Sequence, residues 1–93
     1  MNRIEIEYWL KEQYPLTVIS DRYGGTYSGG RFLAYPCDFD EIGEDVNGGD
    51  NACMDYWDEF NGIVGKGATI EEAVQDLRDK LQKELETDGA NGR

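Results

Sequence analysis

Histidine is missing from all 93 residues, which removes Ser-His and Cys-His nucleophile pairs and imidazole metal ligation together. Cysteine is scarce. Cys37 and Cys53 allow one disulfide at most and are too few for a four-ligand zinc site, so no cofactor and no structural metal are expected. Apolar runs are short: Phe32-Leu33-Ala34-Tyr35 falls far below the roughly 20 residues that cross a bilayer. Met1-Asn2-Arg3-Ile4-Glu5-Ile6-Glu7 is charged from its third residue and lacks the apolar core of a signal peptide. A cytoplasmic protein with two reduced thiols packed as small hydrophobes is expected. A chain of this length is one small domain with no room for a separate cofactor domain. One further absence is local: between Arg31 and Lys66 there is no basic residue at all.

What is present is acid. Twenty Asp and Glu against nine Lys and Arg give −11 at neutral pH. That excess argues against direct binding to nucleic acid or to an anionic membrane, both of which require positive charge. Nine of the acids fall in the stretch without bases: Asp38, Asp40, Glu41, Glu44, Asp45, Asp50, Asp55, Asp58 and Glu59.

The pattern along the chain predicts an α+β domain over residues 1–86, with a flexible tail at 87–93. Residues 2–13 read as a helix with Asn2 as N-cap and Glu5 three residues on; Ile6, Trp9, Leu10 and Tyr14 recur at helical spacing. The rival is a strand, since Ile4, Ile6 and Tyr8 also alternate with acids. Pro15 ends either element. Leu16–Ile19 and Arg31–Tyr35 read as a strand pair. The glycine-rich segment between them, Gly24-Gly25 to Gly29-Gly30, reads as a hairpin connection, lacking the Lys-Ser/Thr of a phosphate loop.

Residues 37–60 read as an inserted acidic helical lobe. Phe39, Ile42 and Val46 are its first apolar anchors. Asp50 caps a short helix with Cys53, Trp57 and Phe60 on one face and Asp55, Asp58 and Glu59 on another. Gly62–Gly65 reads as a third strand. Thr69-Ile70-Glu71-Glu72 is a capping box that opens a long amphipathic helix with the stripe Ile70, Ala73, Val74, Leu77, Leu81 and Leu85. The expected architecture is two layers: a small antiparallel sheet of about three strands under the C-terminal helix.

Tyr14-Pro15-Leu16-Thr17-Val18-Ile19, Gly24-Gly25, Phe32-Leu33-Ala34-Tyr35-Pro36 and Gly67-Ala68-Thr69-Ile70-Glu71-Glu72-Ala73 together resemble HicB-like antitoxin domains. The resemblance covers about half of the chain and implies a β-β-β-α unit that neutralises a small basic ribonuclease toxin. The chain departs from that pattern by inserting the acidic lobe after Pro36 and by carrying no DNA-binding extension in these residues. Its small size, acidity and lack of catalytic motifs also resemble phage-encoded anti-CRISPR and antirestriction inhibitors.

The acids and thiols offer little catalytic chemistry. Asp38-Phe39-Asp40-Glu41-Ile42-Gly43 matches a calcium loop at positions 1, 3 and 6, but Ile42 and Gly49 stand where two ligands belong. Asp21, at the end of the first strand, is a candidate ligand for metal-assisted hydrolysis, though a turn role fits its position better. Neither cysteine has a general base of the usual kind, and an enzyme is not expected. The acidic run has an ordinary reading as a solubilising face; its segregation favours binding. Tyr23 and Tyr27 read either as interface anchors or as cross-strand cover for the sheet. The resulting expectation is a nucleic-acid mimic, monomeric or dimeric, that blocks the basic groove of a nuclease or CRISPR effector through these acids with Tyr23 and Tyr27.

Overall fold

The structure, a computed structural model, describes residues 2–42, 46, 48–60 and 62–91, the last five by backbone alone. The first helix, α1 (Arg3–Glu12), begins at Asn2, whose side chain accepts from the Glu5 amide while the Glu5 carboxylate accepts from the Asn2 amide, at 2.9 and 2.8 Å. This reciprocal cap decides between the helical and extended readings of the N-terminal residues. Ile6 and Trp9 are the buried side chains of α1. Gln13 closes the helix in the left-handed conformation, at φ 53°. The Trp9 indole donates to the Pro15 carbonyl at 2.6 Å, fastening the turn beneath the helix. Tyr14, expected on the buried stripe, lies beyond the helix end and is 64% exposed.

Strands β1 (Thr17–Ser20), β2 (Phe32–Tyr35) and β3 (Gly65–Gly67) form an antiparallel sheet in the order β1-β2-β3. Val18 pairs with Ala34, and Leu33 pairs with Lys66. The third strand therefore starts where the predicted one ends. Ile63 and Val64 pack in the core ahead of it, and it is the glycine-flanked Lys66 that reaches the β2 register. A Cβ on Gly65 would overlap the Ala73 carbonyl oxygen and stand 2.6 Å from the Leu77 nitrogen. The strand is glycine because a helix lies directly on it.

That helix is α3 (Ile70–Asn91). Its cap forms as the sequence predicts on one side, Glu72 N–H donating to Thr69 Oγ1 at 3.1 Å. The return arm reaches one residue further back, with Glu72 Oε1 accepting from the Ala68 amide at 3.0 Å. Ala73, Leu77 and Leu81 are fully buried with Ile6, Trp9 and Ala34. Ile70, the expected first member of the stripe, is 53% exposed because it precedes the turn that meets the sheet. Helical backbone continues to Asn91, through five of the seven residues of the expected tail. Leu77→Ala is expected to cost ~2–5 kcal/mol, the range for a buried leucine, measured as a shift of the urea midpoint. A change of a few tenths would place this face in solvent.

The sheet has a second covered face. Alternation along β2 sends Phe32 and Ala34 toward α1 and α3, and Leu33 and Tyr35 toward the acidic segment. Leu33, Tyr35 and Val64 pack with Ile42 and Val46, and with Tyr56, Trp57 and Phe60 of α2 (Asp50–Glu59) and its C-terminal edge. The molecule is thus three-layered, helix pair, sheet and lobe, where two layers were expected. Phe39 takes no part; it sits on a short 3-10 turn, 70% exposed. Among the described residues, no helix is long and apolar enough to cross a membrane.

Candidate functional site

The glycine segment between β1 and β2 is organised by Asp21. Its side chain is buried, and its carboxylate accepts from the Tyr23 amide (3.0 Å), the Gly25 amide (2.8 Å) and the Ser28 hydroxyl (2.6 Å). Gly25 can turn its N–H inward because it adopts φ 102°, which side-chain-bearing residues avoid. Three donors converge on one carboxylate, so Asp21 holds a turn. Among the described residues no three Asp, Glu or Cys side chains converge as metal ligands.

This loop braces the acidic segment. Tyr23 donates its hydroxyl to the Gly48 carbonyl at 2.7 Å, and Arg22 donates to the same oxygen at 3.4 Å while its guanidinium lies 5.5 Å above the Tyr23 ring. Tyr27 meets Tyr23 edge-to-face at 5.3 Å and donates to Asp50 Oδ1 at 3.3 Å. Desolvation and the Asp50 carboxylate push the Tyr27 hydroxyl above its ordinary pKa. The sequence leaves these tyrosines either as cross-strand cover for the sheet or as anchors for a partner. Their segment is a run of turns instead, which carries the rings past the sheet to the start of α2.

From there α2 is pinned by aromatics. Tyr56 meets Trp57 at 4.9 Å and Phe60 at 5.7 Å, and Phe60 meets Tyr35 at 6.3 Å. The Tyr35 hydroxyl lies 3.2 Å from that of Tyr56, which in turn donates to the Ile42 carbonyl at 3.2 Å. Burial, with Tyr56 in support, raises the Tyr35 pKa far above the ordinary phenol value. Cys53 is fully buried and points its thiol at the Val46 carbonyl, 3.2 Å away. Burial, then the carboxylates of Asp21 and Asp50, raise its pKa, opposed in part by the Trp57 indole. That indole N–H is buried and meets no acceptor at hydrogen-bonding geometry among the described residues.

Against this anchored inner face the carboxylates point outward. Asp38, Asp40 and Glu41 are exposed around the 3-10 turn, and Asp55, Asp58 and Glu59 along the outer face of α2. Asp50, also exposed, is the first residue of α2, one position past the N-cap Gly49 and so not the cap the sequence predicts. Glu41 also accepts from the Asp38 amide at 3.1 Å. Among the described residues the ion pairs are Arg3–Glu7 and Asp76–Lys80, and neither involves the lobe. Glu44 and Asp45 lie outside the described residues. Tyr23 and Tyr27 join the lobe through Gly48 and Asp50; the acids themselves fall into two groups, one on each helical piece.

Lys66 is a functional candidate that no sequence pattern singles out. Its ammonium lies 5.4 Å over the Trp57 ring, and its amide donates to Asp76 Oδ2 at 2.8 Å. Lys80 bridges from the same carboxylate oxygen, 2.8 Å away, to the Val64 carbonyl, also 2.8 Å. Partial burial pushes the Asp76 pKa up, but the hydrogen bonds from Lys80 and the Lys66 amide outweigh it and hold the carboxyl below its ordinary value. No spacing in the sequence announces this cluster, which exists because β3 lies against α3 while the Lys66 side chain reaches Trp57 of α2.

Compared with known proteins, the chain matches no protein-family model, no curated protein and no solved structure. The likeness to HicB-like domains is carried by the short motifs alone.

Proposed function

We propose that the chain is an inhibitory binding protein whose acidic lobe imitates nucleic acid. In this reading it enters the Lys- and Arg-lined groove of a nuclease or surveillance complex of a bacterial defence system, with the anti-CRISPR class as the best fit. The observation that carries the proposal is the seven described carboxylates of residues 38–59, all exposed and without an ion-pair partner among the described residues, on a segment fastened from beneath by Ile42, Cys53 and Trp57. Duplex DNA presents about one negative charge per 1.7 Å of axis. A folded lobe presents carboxylates with their positions largely set before binding, so less ordering cost is incurred on association. Opposite charge also speeds encounter. Acids spread over the whole surface would serve solubility with less mutual repulsion.

A second reading, a HicB-like antitoxin covering a basic ribonuclease, is favoured by the order β1-β2-β3-α3 and by the Gly67–Ala73 junction. Both readings name a basic partner, and one experiment addresses them. Partners captured from a bacterial lysate are identified, and the purified pair is challenged with duplex DNA. The mimic reading predicts that DNA and the protein exclude one another from the partner and that rising salt weakens the complex. A partner that binds DNA and this protein at once contradicts it. A small basic ribonuclease as the sole partner selects the antitoxin reading.

A further inference from the structure

Three of the nine basic residues of this acidic chain, Lys66, Lys80 and Lys83, line one cleft. The cleft has a volume of about 530 Å³, within the usual range for small-molecule sites. Its apolar wall is Phe60, Ile63 and Val64. Phe60 is held rigid there by the stacked Tyr56 ring at 5.7 Å and the tilted Trp57 ring at 5.1 Å.

The charge in the cleft is only partly compensated. Lys80 spends its ammonium on Asp76 and on the Val64 carbonyl. Lys66 rests over the Trp57 face, and Lys83 is exposed with no ion pair among the described residues. Glu84 is a carboxylate on the same wall. Partial burial, and next the neighbouring Lys80, lower the Lys66 pKa below its ordinary value, with Asp76 opposing them. An anion close to these ammonium groups would relieve that repulsion. Inorganic phosphate would use the lysines and leave the apolar wall unused; a neutral ring would do the reverse.

We propose that this cleft binds a small amphipathic anion, an aromatic ring carrying a phosphate or a carboxylate, with the ring against Phe60 and Ile63 and the acid group between Lys66 and Lys83. The site is separate from the acidic lobe surface and holds whether or not the lobe binds a nuclease. Trp57 reports on it from beneath Lys66, and Trp9, in the core on the other face of the sheet, serves as an internal control.

The test is an NMR titration of the ¹⁵N-labelled protein with adenosine monophosphate, indole-3-acetate and inorganic phosphate in separate runs. Saturable movement of the Trp57 indole signal with either organic anion, the Trp9 signal staying in place, is the expected result. The organic anion that binds more tightly identifies the acid group as phosphate or carboxylate. Lys83→Gln, at an exposed position where folding is safe, should weaken binding about tenfold, as loss of one charged contact would. Lys11→Gln on α1 should leave it unchanged. The proposal is overturned if neither organic anion moves Trp57, if inorganic phosphate binds equally well, or if Lys83→Gln binds as tightly as the parent.

Discussion

Gly65→Ala is expected to be about as damaging as a large-to-small change in the core, although it adds a single methyl group. The added carbon would overlap the Ala73 carbonyl oxygen and stand 2.6 Å from the Leu77 nitrogen and 2.7 Å from its Cβ. These neighbours are helix backbone and a Cβ, and none can swing aside as the end of a long side chain could. α3 would have to lift from β3, and Ala73, Leu77 and Leu81 would lose their packing against Ile6, Trp9 and Ala34. Overpacking usually costs about 1–3 kcal/mol; a clash with the main chain of the principal helix belongs at or above the top of that range. Small domains have about 5–15 kcal/mol in total, so a large part of the stability would go. Gly49→Ser is the matching control. A Cβ added at Gly49 meets nothing within 4 Å, and the residue sits at the N-cap of α2, where serine is favoured, so stability should hold or rise slightly. Urea unfolding followed by circular dichroism reads both. A loss below about 1 kcal/mol for Gly65→Ala, less than overpacking normally costs, would mean that α3 does not lie on this strand.

The same contact shows how far the sequence could be read. α1 and α3 were legible because each carries a cap and a repeating apolar face, signals that are local. β3 was misplaced for the complementary reason. Ile63 and Val64 have the β-branched side chains that favour strands, whereas Gly65 and Gly67 have the poorest intrinsic preference. They pair with β2 because only glycine lets a helix approach so closely, and that requirement belongs to the tertiary structure. The third layer did leave a trace. Phe32-Leu33-Ala34-Tyr35 is unbroken by polar residues, the pattern of a strand covered on both faces, and a sheet with one helical layer would have alternated. Phe39 and Ile70 have the right spacing for their stripes but lie at the ends of elements, where spacing no longer guarantees burial.

For the candidate site, the outward position of Asp55, Asp58 and Glu59 followed from helical spacing against Cys53 and Trp57. The bracing of α2 by Tyr23 and Tyr27 did not, because it joins residues more than twenty apart through a loop with no periodicity. Asp21 was legible as a turn former from its place ahead of the glycines. The lysine cleft was hidden because its members lie on β3 and on a helix that the sheet brings together.

The most direct test of the account is a pair of charge reversals measured against the captured partner. Asp55→Lys, Asp58→Lys and Glu59→Lys together reverse the outer face of α2, where all three are exposed. Glu71→Lys with Asp79→Lys makes a similar change on exposed positions of α3. At physiological ionic strength the Debye length is about 8 Å, so charges outside the contact contribute little to affinity. The account predicts that the first variant keeps its circular dichroism spectrum and loses at least about a hundredfold in affinity, the scale expected when charged contacts are removed from an interface, while the second stays within about tenfold. Equal losses from both would indicate a general charge effect only. Full binding by the folded first variant would contradict the account, leaving the acidic face of α2 as a solubilising surface.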